Sequence, residues 1–384
     1  MVPDLTVTTS FAQAGPAARV AALLDAQGKL QNRGSLTIAE GWLQGRAVRM
    51  ALTDRTRSGG AFGVQEAAAL QEALERSAED RTAVVLVLDS AGARLDEGLP
   101  SLGAFRRLFA AALKARLADV ATVAVVARDC FGGASMLAAL CHRRLALNGA
   151  RFGLSGPAVV EALAGRRELD ASDREAVAAL FGTLARLRAG AFHGLCEDDA
   201  AAVRAALAGA LAEAAALPDD LRTQHERLHQ RLAAAGAVIP GAPAVWRGFD
   251  RGSAVSALDC WQGADALLAI AAPRPIELLL DAPGHAATRL DEALVLSEYM
   301  AHLSLCLARH ASRGGAVRLI LTGEAAGAVY VALAAPAARV VARAAAAVRL
   351  LPPGAVASVL GAPAADEDLA QALQAGVIDE VAAA

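Results

Sequence analysis

The sequence predicts an α/β fold made of two similar units in tandem, and three observations carry that expectation. Short apolar runs rich in β-branched residues recur, each followed by a glycine-containing turn and then a segment of helical length. One such turn, "DSAGARLDEG" (Asp89 to Gly98), is echoed far downstream by "DAPGHAATRLDEA" (Asp281 to Ala293). The 384 residues also exceed one ordinary core, and domains usually run to roughly 100–200 residues.

The elements follow in order. Ser35 to Glu40 and Arg46 to Thr53 read as two short strands closed by the Gly59-Gly60 turn. Val64 to Ala78 has helical spacing. Val84 to Leu88 is uniformly apolar, as in a strand buried on both faces. Pro100 to Leu117 places Leu102, Phe105, Leu108 and Phe109 on one helical face. Thr122 to Ala127 is the next buried strand, and Gly132-Gly133 opens a helix. The stretch from about Ala205 to Gly252 is different: an Ala-rich helix, then the polar "LPDDLRTQHERLHQRLAAAG", read as an exposed helix, then a Pro- and Gly-rich linker. The pattern then repeats. Ile276 to Leu280 is a strand broken only by Glu277, Leu294 to His310 a helix, Val317 to Leu321 a strand, and "GEAAGAV" stands where "DCFGGAS" stood. Units covering 1–235 and 236–384 are the expected domains.

Composition narrows the function. With 55% hydrophobic and 20% charged residues and a net charge of −3, the chain is globular and lacks the basic field that nucleic-acid binding needs. The opening "MVPDLTVTTS" has no charged segment leading into an apolar one, and Arg339, Arg343 and Arg349 interrupt the most apolar region. A cytoplasmic protein without membrane contact is expected. Five widely spread cysteines with no CxxC pair read as buried free thiols. His225 and His229 sit one helical turn apart, but no third ligand stands nearby, so an exposed helix is the preferred reading and no metal site is expected.

No nucleophile elbow, phosphate loop, dinucleotide fingerprint or zinc helix is present. Ser155, His193 and Asp198 can be grouped as a triad, but with no spacing logic. The glycine turns are more informative. Glycine lets a ligand approach the main chain and leaves N–H groups free at a helix start, and two such groups from neighbouring strands make an oxyanion hole. Singly, each glycine equally suits a tight strand-to-helix turn; the paired and repeated arrangement favours chemistry.

The stretches "DSAGARLDEGLPSLGAFRRLF", "DCFGGASMLAALCHRRLAL", "GARFGLSGPAVVEALAG" and "RRELDASDREAV" together resemble the β subunit of biotin-independent malonate decarboxylase. They are more distantly similar to the carboxyltransferase subunits of acyl-CoA carboxylases. The second half, with "YMAHL" and "GEAAGA", resembles the γ subunit of the same decarboxylase. The resemblance covers about 35–205 and, more loosely, 255–361.

It implies two crotonase-like (ClpP/crotonase) carboxyltransferase domains in tandem, with an active site where they meet. The implied reaction is decarboxylation of a malonyl thioester on an acyl carrier protein or coenzyme A. No metal and no cofactor would act in the chemical step beyond the phosphopantetheine-type group the substrate carries. Further decarboxylase subunits or a homo-oligomer are the implied partners. By residue, Gly132 and Gly133 would donate N–H to the thioester oxygen, with Gly92 and Ala93 completing the hole. Gly284 and Gly327 would be their counterparts for the carboxylate; His302 is the histidine to be tested as proton donor, although a satisfied core histidine is the preferred reading. Arg94, Phe131, Gly156 and Ala328 would contact substrate. The γ subunit's Ser-Gly is Gly327-Ala328 here, which points to an altered second hole and another carboxyacyl substrate. A biotin-dependent carboxyltransferase and a silent acyl-carrier-binding scaffold are the alternatives. Arg106 and Arg107 read as a solvated helix face. Asp96, Glu97, Asp291 and Glu292 suit helix first turns, as do Asp170, Asp173 and Arg174. A Gly133→Val change is expected to block thioester approach while leaving the fold intact.

Overall fold

The structure, a computed structural model, describes residues 10–216, 220–241, 245–352, 355–357 and 368–382. The first nine residues, on which the reading of no leader rests, lie outside these, as do 217–219 and 242–244 of the middle segment and 358–361 of the second repeat.

In the first unit, α1 (Pro16–Leu23) precedes an antiparallel meander of β1 (Ala26–Arg33), β2 (Leu36–Leu43) and β3 (Arg46–Thr53). From β3 onward the pairing is parallel. Helix α2 (Val64–Asp80) leads to β4 (Ala83–Ser90), α3 (Gly98–Leu117) to β5 (Thr122–Cys130), and α4 (Gly133–Leu140) to β6 (Arg143–Leu147). A short β7 (Arg151–Phe152) lies beside β5; α5 (Pro157–Ala164), α6 (Arg174–Phe181) and α7 (Thr183–Arg188) then lead to β8 (Gly194–Cys196). The sheet order is β1-β2-β3-β4-β5-β6-β8. Two helices follow, α8 (Ala200–Ala216) and α9 (Leu221–Ala234).

The second sheet is parallel throughout. It comprises β9 (Gly248–Asp250), β10 (Ile276–Ala282), β11 (Val317–Ala326), β12 (Arg339–Ala342), β13 (Ala347–Arg349) and β14 (Glu380–Val381), in the order β14-β12-β11-β10-β9 with β13 beside β11. Its helices are α10 (Ala257–Leu268), α11 (Arg289–Ala293), α12 (Leu296–Ser312), α13 (Gly327–Ala334) and α14 (Leu369–Gln374).

Burial explains the layering. Every residue of β4 is buried, as its unbroken apolar run requires. Val85, Val87, Val123 and Val125 pack with Val20 and Leu23 of α1 and Val203 and Leu207 of α8. On the other face, Leu86, Leu88, Ala124 and Val126 meet Phe105, Leu108 and Phe109 of α3, and that core continues without a break into Tyr299, Leu303, Tyr330, Leu319 and Leu321. Helices of both units therefore form one shared layer between the two sheets. In β10 the pattern alternates, Leu278 and Leu280 inward and Glu277 exposed; the second sheet buries one face more deeply than the other, which Glu277 foreshadowed.

Two expectations need correction, and one strand carries no signal in the sequence. β1 escaped notice because "AQGKLQNR" has almost no apolar periodicity; it is an exposed edge strand. α9 is not a solvated helix: it buries Leu221, His225, Leu228 and Leu232, and His225 stacks on Trp261 at 4.7 Å. Arg106 is no solvated residue either. It bonds to the carbonyls of Ala334 at 3.3 Å and Val377 at 3.0 Å and pairs with Asp379 at 2.9 Å, clasping the C-terminal segment to α3. All five cysteines are buried and none is joined in a disulfide, as expected. Among the described residues no single helix is long and apolar enough to cross a membrane.

Candidate active site

Because β4 and β5 are parallel neighbours, with Ser90 opposite Cys130, their C-terminal turns lie side by side. Ala91 to Arg94 follows one and Phe131 to Gly133 the other. Gly92 and Gly132 both have positive φ (110° and 58°), and a Cβ on Gly132 would stand 3.3 Å from the Cα of Gly92. Here two glycines are needed for the turns to touch.

The fate of the four amides separates structure from chemistry. Gly132 N–H donates to the Leu154 carbonyl at 3.0 Å, and Gly92 N–H donates to Ser90 Oγ at 3.1 Å. Both are consumed by the turns, so the expectation that Gly132 donates to a ligand is corrected. One residue further on, the N–H groups of Ala93 and Gly133 have no partner among the described residues. Both residues line one cavity of about 350 Å³. Gly133 is the first residue of α4, so its amide carries the positive end of the helix dipole.

The cavity is apolar in the middle, with Leu102, Phe105, Met136, Leu154 and Val331 in its walls, and it lies where the units meet: Gly327, Ala328 and His285 come from the second. At one side Arg151 pairs with Asp129 at 2.7 Å, and Arg55 pairs with the same carboxylate. Burial alone would raise the Asp129 carboxyl, but Arg151 and Arg55 hold it below the usual carboxylate range. Two half-exposed guanidinium groups thus border an apolar chamber with free main-chain donors. Such a chamber suits an anionic oxygen on an otherwise apolar group. A larger groove beside α9 is lined by His225, Asp265 and Arg309 together with apolar residues such as Leu267 and Ile270.

Of the residues singled out in the sequence, Ala93, Phe131, Gly132, Gly133, Gly156, Gly327 and Ala328 all line this cavity. Gly92 abuts it through Gly132. Gly284 lies behind the wall, its carbonyl accepting Val255 N–H at 3.0 Å. Arg94 is turned away, pairing with Glu97 at 2.8 Å and bonding Ser58 Oγ at 2.9 Å. His302 is not in the cavity. It is buried in α12, 3.2 Å from His225 Nδ1, with its pKa lowered to about 3 by burial and by His225.

The acidic pairs do more than cap their own helices. Glu97 accepts Val64 N–H at 2.6 Å, capping the start of α2. Glu292 reaches across to the first unit and accepts the N–H of Ser155 at 2.6 Å and of Leu154 at 3.2 Å. Burial raises the Glu292 carboxyl, against the pull of Arg186 at 3.3 Å. Asp173 caps α6, as read. The triad grouping does not form: His193 Nδ1 accepts Arg144 N–H at 3.0 Å, and Asp198 holds Ser10 and Ala12 near the start of the chain.

Ser155 has a different partner. Its hydroxyl lies 2.9 Å from His285 Nε2, and both residues line the cavity. Sequence reasoning passed over His285 because it stands alone in a turn; its place directly after Gly284, in the repeat of the Gly92-Ala93 turn, was the available signal.

This α/β architecture and its amide-lined cleft define a member of the carboxyltransferase/crotonase superfamily. The chain belongs to the carboxyl transferase domain family, whose model matches residues 4–218. It is 31% identical over 182 residues to the methylmalonyl-CoA carboxyltransferase 12S subunit of Propionibacterium freudenreichii subsp. shermanii, covering 47% of this chain and 32% of that one. It is 31% identical over 140 residues to the acetyl-coenzyme A carboxylase carboxyl transferase subunit beta of Azorhizobium caulinodans, covering 36% of this chain and 47% of the relative. It therefore matches less than half the length of either relative. Among solved structures, one chain of a Pseudomonas malonate decarboxylase hetero-tetramer in complex with malonate is similar, with a TM-score of 0.54 and 29% identity, covering 62% of this chain and 94% of that chain. A chain of the Pseudomonas malonate decarboxylase hetero-dimer gives a TM-score of 0.50 and 30% identity over 59% of this chain and 96% of that one.

Proposed function

We propose that this cleft decarboxylates a malonyl or related carboxyacyl thioester. The observation that carries the reading is the pair of amides, Ala93 and Gly133, unpartnered among the described residues and belonging to residues that line one apolar cavity. A thioester oxygen held by both would accept the electron pair released when carbon dioxide leaves, and the low-dielectric walls strengthen that stabilisation. Similarity to the Pseudomonas malonate decarboxylase chain supports the same reaction. In this reading the chain is a tandem of β-like and γ-like units, domains 1–235 and 236–384, acting in the cytoplasm on a thioester of coenzyme A or an acyl carrier protein. It needs neither biotin nor metal, and works as a homo-oligomer or with further decarboxylase subunits. Gly327 and Ala328 bound the part of the cavity where the substrate carboxylate sits, and Phe131 and Gly156 contact the acyl chain.

The names of the curated relatives favour a second reading, a biotin-dependent acyl-CoA carboxyltransferase. One experiment separates the two: malonyl- and methylmalonyl-thioesters, on coenzyme A and on carrier protein, are incubated with the purified chain without biotin and followed by mass spectrometry. Loss of carbon dioxide is expected. Carboxyl transfer appearing only with an added biotin carrier would replace the decarboxylase by a carboxyltransferase, and no reaction in either case would leave a binding scaffold.

A further inference from the structure

Loss of carbon dioxide leaves a carbanion equivalent that must be protonated, and His302 is too far inside α12 to do it. The cavity holds a hydroxyl and an imidazole in direct contact, Ser155 Oγ to His285 Nε2 at 2.9 Å. They come from different units, and each is held in place independently. Ser155 is buried, its N–H donating to Glu292 at 2.6 Å while Leu154 N–H donates to the same carboxylate at 3.2 Å. His285 is flanked by two main-chain bonds to Val255, Val255 N–H to the Gly284 carbonyl at 3.0 Å and Ala286 N–H to the Val255 carbonyl at 2.9 Å. Residue 154 also accepts the Gly132 amide, so the Ser155 loop adjoins the turn that carries the free Gly133 N–H.

The geometry points to Ser155 as the acid that protonates the α-carbon of the enolate, with His285 as the positioning residue that resupplies its proton. This deepens the decarboxylase reading and rests on it. The step balances as follows. The bond between the α-carbon and the carboxylate breaks, its electron pair passes into the thioester enolate, and carbon dioxide leaves. The α-carbon takes the Ser155 hydroxyl proton, and the Ser155 oxygen takes a proton from the His285 imidazolium, which ends neutral. The imidazolium proton comes from solvent as the substrate carboxylate binds. Burial depresses His285 to about 4 in the empty cavity, and an anion entering the same apolar space raises it again. The charged side chains bordering the cavity are Arg55, Arg151 and Asp129, with Glu292 and Arg186 behind Ser155.

The test uses the full chain with malonyl-coenzyme A for turnover and acetyl-coenzyme A in D2O for exchange of the α-hydrogens, read by NMR. Ser155→Ala and His285→Gln are expected to lower both kcat and exchange by about 100-fold or more, the usual worth of a positioned acid, with KM almost unchanged. A merely structural hydroxyl would leave exchange untouched. Folded variants that turn over and exchange at the wild-type rate overturn the inference while the decarboxylase reading stands. A wild type that releases no carbon dioxide overturns both. Should the variants not fold, methylmalonyl-coenzyme A decarboxylated by wild type in D2O decides: deuterium on one face of the propionyl product is expected, and an equal mixture overturns the fixed donor.

Discussion

Glu292 accepts the main-chain N–H of Ser155 at 2.6 Å, although the two residues belong to different units of the chain. The contact fixes the loop that walls the cleft, and Arg186, itself buried, completes it at 3.3 Å. Removing the carboxylate with Glu292→Ala strands a buried guanidinium and two donors. A loss of about 3–5 kcal/mol in denaturant unfolding is expected, the usual cost of breaking such a pair from one side. Glu292→Gln keeps an acceptor and should lose less. Equal stability of the alanine variant and wild type would show that the units do not depend on this tie.

Gly133 was expected to tolerate a larger side chain. The structure says otherwise, because a Cβ at Gly133 would run into the Phe105 ring, 2.8 Å from Cε1, and Phe105 is itself packed between Phe62 and Phe109. Gly133→Ala is expected to cost about 1–3 kcal/mol through overpacking. Adding Phe105→Leu should recover part of that loss, a coupling that a double-mutant cycle measures directly.

Ala93 offers the cleaner probe of the amide pair. Ala93→Pro replaces one N–H by the ring Cδ, so it both removes the donor and crowds the oxygen's place, while the neighbouring main-chain bonds, Phe62 N–H to the Gly92 carbonyl and Arg94 N–H to the Phe62 carbonyl, use other groups. A fall in kcat of about 10²–10³ is expected, the value of a single oxyanion donor, with an unfolding midpoint close to wild type. Retained activity in a folded variant would remove Ala93 from the hole.

What the sequence revealed and hid follows from the range of each signal. Uniform apolar runs located β4 and β5, and the glycines after them located the cleft, because both are local patterns. The register of Ser90 against Cys130, which brings the turns together, is not local. Nor is the difference between Gly132 and Gly133: only the Leu154 carbonyl, brought in from a later loop, uses up one amide and spares the next. His302 attracted attention as a histidine in a recognisable word, yet in α12 it faces His225. His285 carried no such word, and only its contact with Ser155 marks it. Arg106 reads as surface on a helical wheel because its partners, Val377 and Asp379, lie near the other end of the chain.

Acid should destabilise the protein progressively, through two contributions that overlap below pH 4.5. His142 and His193 have pKa values lowered from 6.5 to about 3, chiefly by burial and then by Arg116 and Arg144 respectively. A histidine depressed in the folded state is protonated first in the unfolded chain, so stability declines as pH falls below 6.5. Glu298 responds in a lower window. Burial would raise its carboxyl, but Arg144, Arg231 at 2.5 Å and Arg227 hold it well below 4.5. Its contribution is complete above pH 4.5 and is lost as pH falls beneath it. Urea midpoints at pH 7.5, 5.5 and 4 are expected to drop at each interval. His193→Asn, which keeps a side-chain acceptor for Arg144 N–H, should lessen both drops, and only in part, because His142, His285 and His302 are depressed in the same way. Glu298→Gln should lessen the second drop without abolishing it, since the histidines still act there, and should lower stability at pH 7.5 by about 3–5 kcal/mol, because Arg144 and Arg231 lose their counter-charge. A midpoint constant from pH 7.5 to 5.5 would mean that these imidazoles gain their proton without unfolding, against the burial that depresses them.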